Sequence, residues 1–98
     1  MKVHELKTWP QYFDAVSSGM KPFEFRKNDR GFIVGDILLL QRFDPELSEY
    51  TGAEITAIVL YVLEGFPGIE PGYCVLGIQV CKIEQTRIIP HKPPFIVI

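Results

Sequence analysis

The sequence predicts an α+β fold that is mainly β: a small mixed β-barrel with one early amphipathic helix beside a cleft. Three observations lead there. A single apolar stripe of helical period occurs near the start of the chain, at Trp9, Tyr12, Phe13 and Val16. From Phe23 onward the apolar residues run in short alternating or continuous stretches, separated by turns rich in glycine, proline and aspartate, which is strand patterning. Finally, 98 residues of 47% hydrophobic content support one core and are too few for two.

The elements follow in order. Val3-His4-Glu5-Leu6 reads as a first strand, where a lone histidine serves as a structural hydrogen-bonder rather than a base or a ligand. Thr8-Trp9-Pro10-Gln11 reads as a helix start, with threonine as cap, proline in the first turn where no amide proton is needed, and glutamine three residues after the cap. The stripe assigns Trp9 and Tyr12 to the core with Phe13 and Val16; they would stack on bases only if the helix lined a cleft. Ser17-Ser18-Gly19 supplies the stop. Phe23-Glu24-Phe25-Arg26 alternates strictly, which predicts a half-buried strand with both aromatics in the core and Glu24 and Arg26 on the other face. Turns at Asn28-Asp29-Arg30-Gly31 and Val34-Gly35-Asp36 precede Ile37 to Leu40, apolar on both faces and so a central strand.

Asp44-Pro45-Glu46, with Gly52 further on, marks an exposed connection, and Glu54 to Leu63 a strand long enough to curl around a barrel. Glu64 to Gly72 is a loop by its glycines and prolines, and Tyr73 to Lys82 a further strand in which Gly77 marks a bulge or a corner. The domain is expected over residues 1–84. The remainder, 85–98, carries Pro90, Pro93 and Pro94 ahead of Phe95-Ile96-Val97-Ile98, a proline-rich tail expected to dock on the barrel or on another chain.

Ten Lys and Arg against twelve Asp and Glu leave a net charge of −2, so no general basic field attracts nucleic acid, and an anionic ligand needs a local cluster. Two cysteines and two histidines, scattered, give neither a disulfide framework nor metal-ligand spacing. Both thiols are expected in the core, with no metal and no cofactor. The N-terminus has no apolar signal core, and the run Ile58 to Leu63 is far shorter than a membrane span, which predicts a soluble cytoplasmic protein without a membrane partner. No Ser/His/Asp set and no glycine-rich phosphate loop is present.

Local positive charge does occur. Lys21, Arg26, Lys27 and Arg30 place four of the ten basic residues within ten positions, interleaved with Glu24, Asn28 and Asp29. Arg26 is the best reader of an anion, because its guanidinium makes two-point contacts that lysine does not, and Glu24 is placed to orient it or to accept hydrogen bonds from a base edge. The plainer alternative is a solvated ion-pair face.

The stretch Ser18-Gly19-Met20-Lys21-Pro22-Phe23-Glu24-Phe25-Arg26, followed by Val34-Gly35-Asp36-Ile37-Leu38, resembles the ASCH domains of the PUA-like superfamily, whose hallmark is Gly-x-Lys-x-x-Glu-x-Arg and then Gly-Asp before a strand. Lys2-Val3-His4-Glu5-Leu6-Lys7 and Arg26-Lys27-Asn28-Asp29-Arg30 look like the DUF3850 branch of small bacterial and phage-borne proteins. This resemblance, over about residues 2–83, implies a PUA-like barrel whose cleft beside the helix engages RNA or a nucleotide through Lys21, Glu24 and Arg26, with Lys27 and Arg30 added by their charge. A related ASCH group hydrolyses N4-acetylcytidine with the motif lysine, a threonine where this chain has Glu24, and a downstream glutamate. An amidohydrolase built on Lys21 and Glu24 is therefore the alternative, weakened because glutamate does not replace a hydroxyl nucleophile in acyl transfer. A protein-interaction or regulatory role, with self-association or a partner held through 85–98, is the third reading.

Overall fold

The computed structural model describes residues 1–85; the expectations for the proline-rich tail lie, but for Gln85, outside the described residues. The elements are β1 (Val3–Thr8), α1 (Pro10–Ser17), β2 (Phe23–Lys27), β3 (Ile37–Asp44), β4 (Glu49–Leu63) and β5 (Tyr73–Glu84). They form a five-stranded sheet in the order β1-β3-β4-β5-β2, with β1 parallel to β3 and every other neighbour antiparallel. The fold is α+β and mainly β, as the sequence predicts, and the sheet curls into a half-barrel. Its spine is the meander β3-β4-β5, and the first two strands of the chain attach to its opposite edges. No ladder joins β1 to β2 among the described residues.

The concave face holds the core. Leu6, Leu38, Leu40, Ile55, Ala57, Val59, Cys74 and Leu76 alternate inward from four strands, and Phe13 and Val16 of α1 close over them. Alternation along each strand is what turns these residues to one side. α1 is tied to β3 by a two-point ion pair, Arg42 Nε and Nη2 donating to the two Asp14 carboxylate oxygens at 3.0 and 3.1 Å. Strand β4 begins at Glu49, ahead of the β-branched run that starts at Glu54, so Gly52 lies within the strand and not in the connection expected there. Asp44 Oδ1 caps the turn by accepting the Glu46 and Leu47 amides, so β4 pairs with β3 at once, with the Phe43 and Tyr50 rings edge to face at 5.0 Å. At Gly77 the register slips as expected: Val59 faces Ile78 and Tyr61 faces Gly77, leaving Leu60 as the extra residue of a bulge.

A buried corner locks β1 to the start of β3. Gly35, at φ +96, turns the chain so that its amide donates to Val59 O while Asp36 O accepts from the Val59 amide. The Asp36 carboxylate, fully buried, accepts from the Lys2 amide, the Ile33 amide and His4 Nε2, the last at 2.9 Å. His4 is the structural hydrogen-bonder expected of it, its ring edge-on to Phe32.

Four expectations are overturned. Thr8 does not cap α1; it ends β1, its hydroxyl donating to Leu6 O, and the N-cap is Trp9 with no side-chain cap bond. Trp9 and Tyr12 are not core residues but stand 47% and 50% exposed. Trp9 is extended, at φ −65 and ψ 151, so its side chain does not follow the helical stripe, and Tyr12 falls on the rim of the buried face. In β2 the faces are reversed: Glu24 is buried, while Phe23 and Phe25 are exposed at the sheet edge, where Phe25 stacks on Tyr73 with centroids 5.6 Å apart. Cys74 is buried, but Cys81 lies in the exposed end of β5. No helix among the described residues is long and apolar enough to cross a membrane.

Candidate functional site

The two sheet edges approach each other beside α1, and the space between them is a cleft of about 470 Å³ lined by Lys7, Thr8, Trp9, Tyr12, Lys21, Glu24, Phe25 and Arg26. Three local features aim these side chains. β1 ends inside the cleft wall and passes directly into the extended Trp9, which places Lys7, Thr8 and Trp9 in sequence along one side. Gly19, in the left-handed region at φ +85, ends α1 and reverses the chain, so that the Gly19 amide donates to Val16 O and the Lys21 amide to Ala15 O. That reversal brings Lys21 back toward the helix. On β2, Glu24 and Arg26 pair with Leu76 and Cys74, both core residues, which shows that the strand's inner face is its charged one.

At the floor lies an ion-pair triad. Glu24, 2% exposed, has one carboxylate oxygen on Lys21 Nζ at 3.1 Å and the other on Arg26 Nε at 3.0 Å. Burying this carboxylate is tolerable because both oxygens are met by cationic donors. Arg26 does more than balance it: Nη2 donates to Lys7 O and to Thr8 Oγ1, each at 3.1 Å, so the guanidinium spans from one sheet edge to the other. The Lys21 ammonium sits between two rings, 5.4 Å from the Tyr12 centroid and 5.2 Å from that of Phe23. Lys21 and Arg26 set two cations against one carboxylate, an excess of positive charge between the exposed faces of Trp9 and Tyr12, while Lys7 gives the cleft its carbonyl and holds its ammonium over the Phe43 ring at 4.1 Å.

The structure thus brings together Lys21, Glu24 and Arg26 and separates them from the other two predicted binders. Lys27 follows Phe23 and Phe25 onto the outer face, and Arg30 lies outside the lining, its Nη1 donating to Glu5 O at 2.9 Å as a second bridge from the β2 side to β1. Sequence reasoning missed Lys7 and Thr8. One signal for them was the proline at position 10, which starts the helix late and leaves Thr8 and Trp9 on the strand that leads into the cleft. Among the described residues no cluster of three or more His, Cys, Asp or Glu is arranged to hold a metal ion.

An uncharacterized 12.9 kDa protein in the GpA 3′ region of Escherichia phage P2 is 38% identical over 63 residues, a match that takes in 64% of this chain and 56% of the phage protein, so the chain spans little more than half of that relative's length. The family model that matches is that of a domain of unknown function, DUF3850, over residues 3–78. Since that stretch contains both cleft-bordering strands, the helix between them and the Gly35-Asp36 corner, the chain belongs to the DUF3850 family.

Proposed function

We propose that the cleft binds RNA or a nucleotide, as a non-catalytic module of the ASCH type within the PUA-like superfamily. The observation that carries this reading is the placing of two exposed aromatic faces, Trp9 and Tyr12, over a floor of Lys21 and Arg26 held by one buried carboxylate. Stacking surfaces and fixed cations are the two things a nucleotide needs, one for the base and one for the phosphate. A volume of about 470 Å³ suits one nucleotide unit, not a duplex. The motif Gly19, Lys21, Glu24, Arg26 and Gly35-Asp36 supports the ASCH assignment, the first four shaping the cleft and the last two the corner that anchors β1.

The amidohydrolase reading gains less. Glu24 is buried with each oxygen engaged by a cation, which leaves neither oxygen facing a water that it could activate. The hydroxyl in the lining, Thr8, donates to Leu6 O and accepts from Arg26, an arrangement that orients the arginine rather than activates a nucleophile.

The test is binding of a short fluorescent single-stranded RNA, followed by anisotropy at several salt concentrations. Affinity falls as salt rises, with a slope of roughly one per phosphate contacted. Tyr12→Ala, an exposed position that leaves the fold intact, weakens binding by about 1–3 kcal/mol, the worth of one stacked base. Unchanged affinity in that variant would refute the cleft as the site.

A further inference from the structure

Resting on the nucleotide-binding reading, a sharper statement comes from counting what the floor of the cleft still offers to a ligand. Both Glu24 oxygens accept from Lys21 and Arg26, and at 2% exposure the carboxylate lies beneath those head groups. Thr8 Oγ1 gives its proton to Leu6 O and accepts from Arg26 Nη2, and Lys7 O accepts from the same nitrogen. Each of these acceptors is thereby already engaged by a donor of the protein, and the Lys21 and Arg26 head groups lie between the carboxylate and the cleft. Arg26 uses Nε and Nη2 in these bonds, and its two Nη1 protons have no acceptor among the described residues. Lys21 likewise keeps protons beyond the one given to Glu24.

We infer that the cleft is selective for guanine, read as a keto purine through its adjacent O6 and N7 acceptors by Arg26 and Lys21 while the ring lies against Trp9 and Tyr12. A floor whose spare groups are the donors of Arg26 and Lys21 matches an edge that only accepts. Guanine's O6/N7 edge is such an edge, whereas adenine presents its N6 amino group beside N7 and sets donor against donor. The mismatch is severe because the guanidinium is held by three bonds and cannot turn away without releasing Glu24 or β1.

The chain has one tryptophan, and it lines the cleft, so its fluorescence reports occupancy directly. The wild-type chain is titrated with GMP, IMP, AMP and 7-deaza-GMP, with equilibrium dialysis of each nucleotide as a second readout. GMP and IMP are expected to bind about tenfold more tightly than AMP, the low-to-middle range for one two-point base contact, and 7-deaza-GMP, lacking the N7 acceptor, to fall to the AMP level. IMP separates O6/N7 reading from recognition through the N2 amino group it lacks. Arg26→Lys keeps the charge but removes the Nη1 donor and the bonds that fix its direction, and is expected to abolish the GMP-over-AMP preference. Equal binding of all four nucleotides would overturn the selectivity and leave nucleotide binding standing, with Arg26 reading phosphate only. Binding of none of them by either readout would overturn the nucleotide site and the selectivity with it.

Discussion

Asp36 carries the clearest consequence at the scale of one residue. The hydrogen bond from His4, with those from the Lys2 and Ile33 amides, outweighs burial and holds its carboxyl at about 2, below the ordinary 3.8. A carboxyl depressed on folding adds stability above its unfolded value, and that stability is lost as the proton returns. The contribution, on the order of 2 kcal/mol, is therefore complete above about pH 4 and disappears as pH falls toward about 2. Urea midpoints measured across that window should fall in the wild type, whereas Asp36→Asn, less stable at neutral pH, should show a much flatter decline. The two thiols differ for an equally local reason: burial, with the carboxylates of Glu64 and Asp29 adding to it, pushes the Cys74 thiol up, and Cys81 is exposed. A thiol reagent should modify Cys81 in the native protein and reach Cys74 only on addition of denaturant. Sequence reasoning treated the two cysteines alike because an apolar run identifies a strand without saying where the sheet stops covering it.

Among the elements, α1 and β2 decide the site, and they are where reading the sequence succeeded and failed most instructively. The helix, its proline start and its glycine stop were legible because each is a local backbone requirement. Gly19 has open space around its missing side chain, so Gly19→Ala tests the left-handed backbone alone. It is expected to cost about 1 kcal/mol, with a lower melting temperature, and to weaken nucleotide binding by displacing Lys21. The pairing of Glu24 with Arg26 on one face of β2 was legible too, from alternation, but which face was not. Two phenylalanines normally mark the core side. Here β2 lies at the edge where the core gives way to the cleft, so the inner positions hold the ion-pair triad and the aromatics cover the outside against Tyr73. Trp9 and Tyr12 were misplaced because a period continued through the cap assigns to the helix a residue that belongs to the strand before it.

For the molecule as a whole, the decisive contact is the seam between the sheet edges. β1 and β2 exchange no ladder; Arg26 and Arg30 join them by donating to the Lys7 and Glu5 carbonyls. Arg30 lies outside the cleft lining and makes its bridge at the exposed surface, so Arg30→Ala should change global stability by less than about 1 kcal/mol. Its signature is local: amide exchange should accelerate in β1 and β2 while β3, β4 and β5 keep their protection. The curled, mainly β architecture was readable from strand and turn patterning, but the seam was not. It depends on two strands far apart in the sheet order being brought back side by side, a distance that no local pattern encodes.

That arrangement also orders the assembly of the protein. The meander β3-β4-β5 is contiguous along the chain and joined by short connections, so its ladders close small loops, whereas β1 must wait for β3, and β2 for β5, across long stretches of sequence. The cleft is therefore expected to form from the parts that arrive last. A chain that has folded its meander but not yet recruited its N-terminal segment has most of a sheet and no cleft, and a closed cleft marks the completion of folding rather than its beginning.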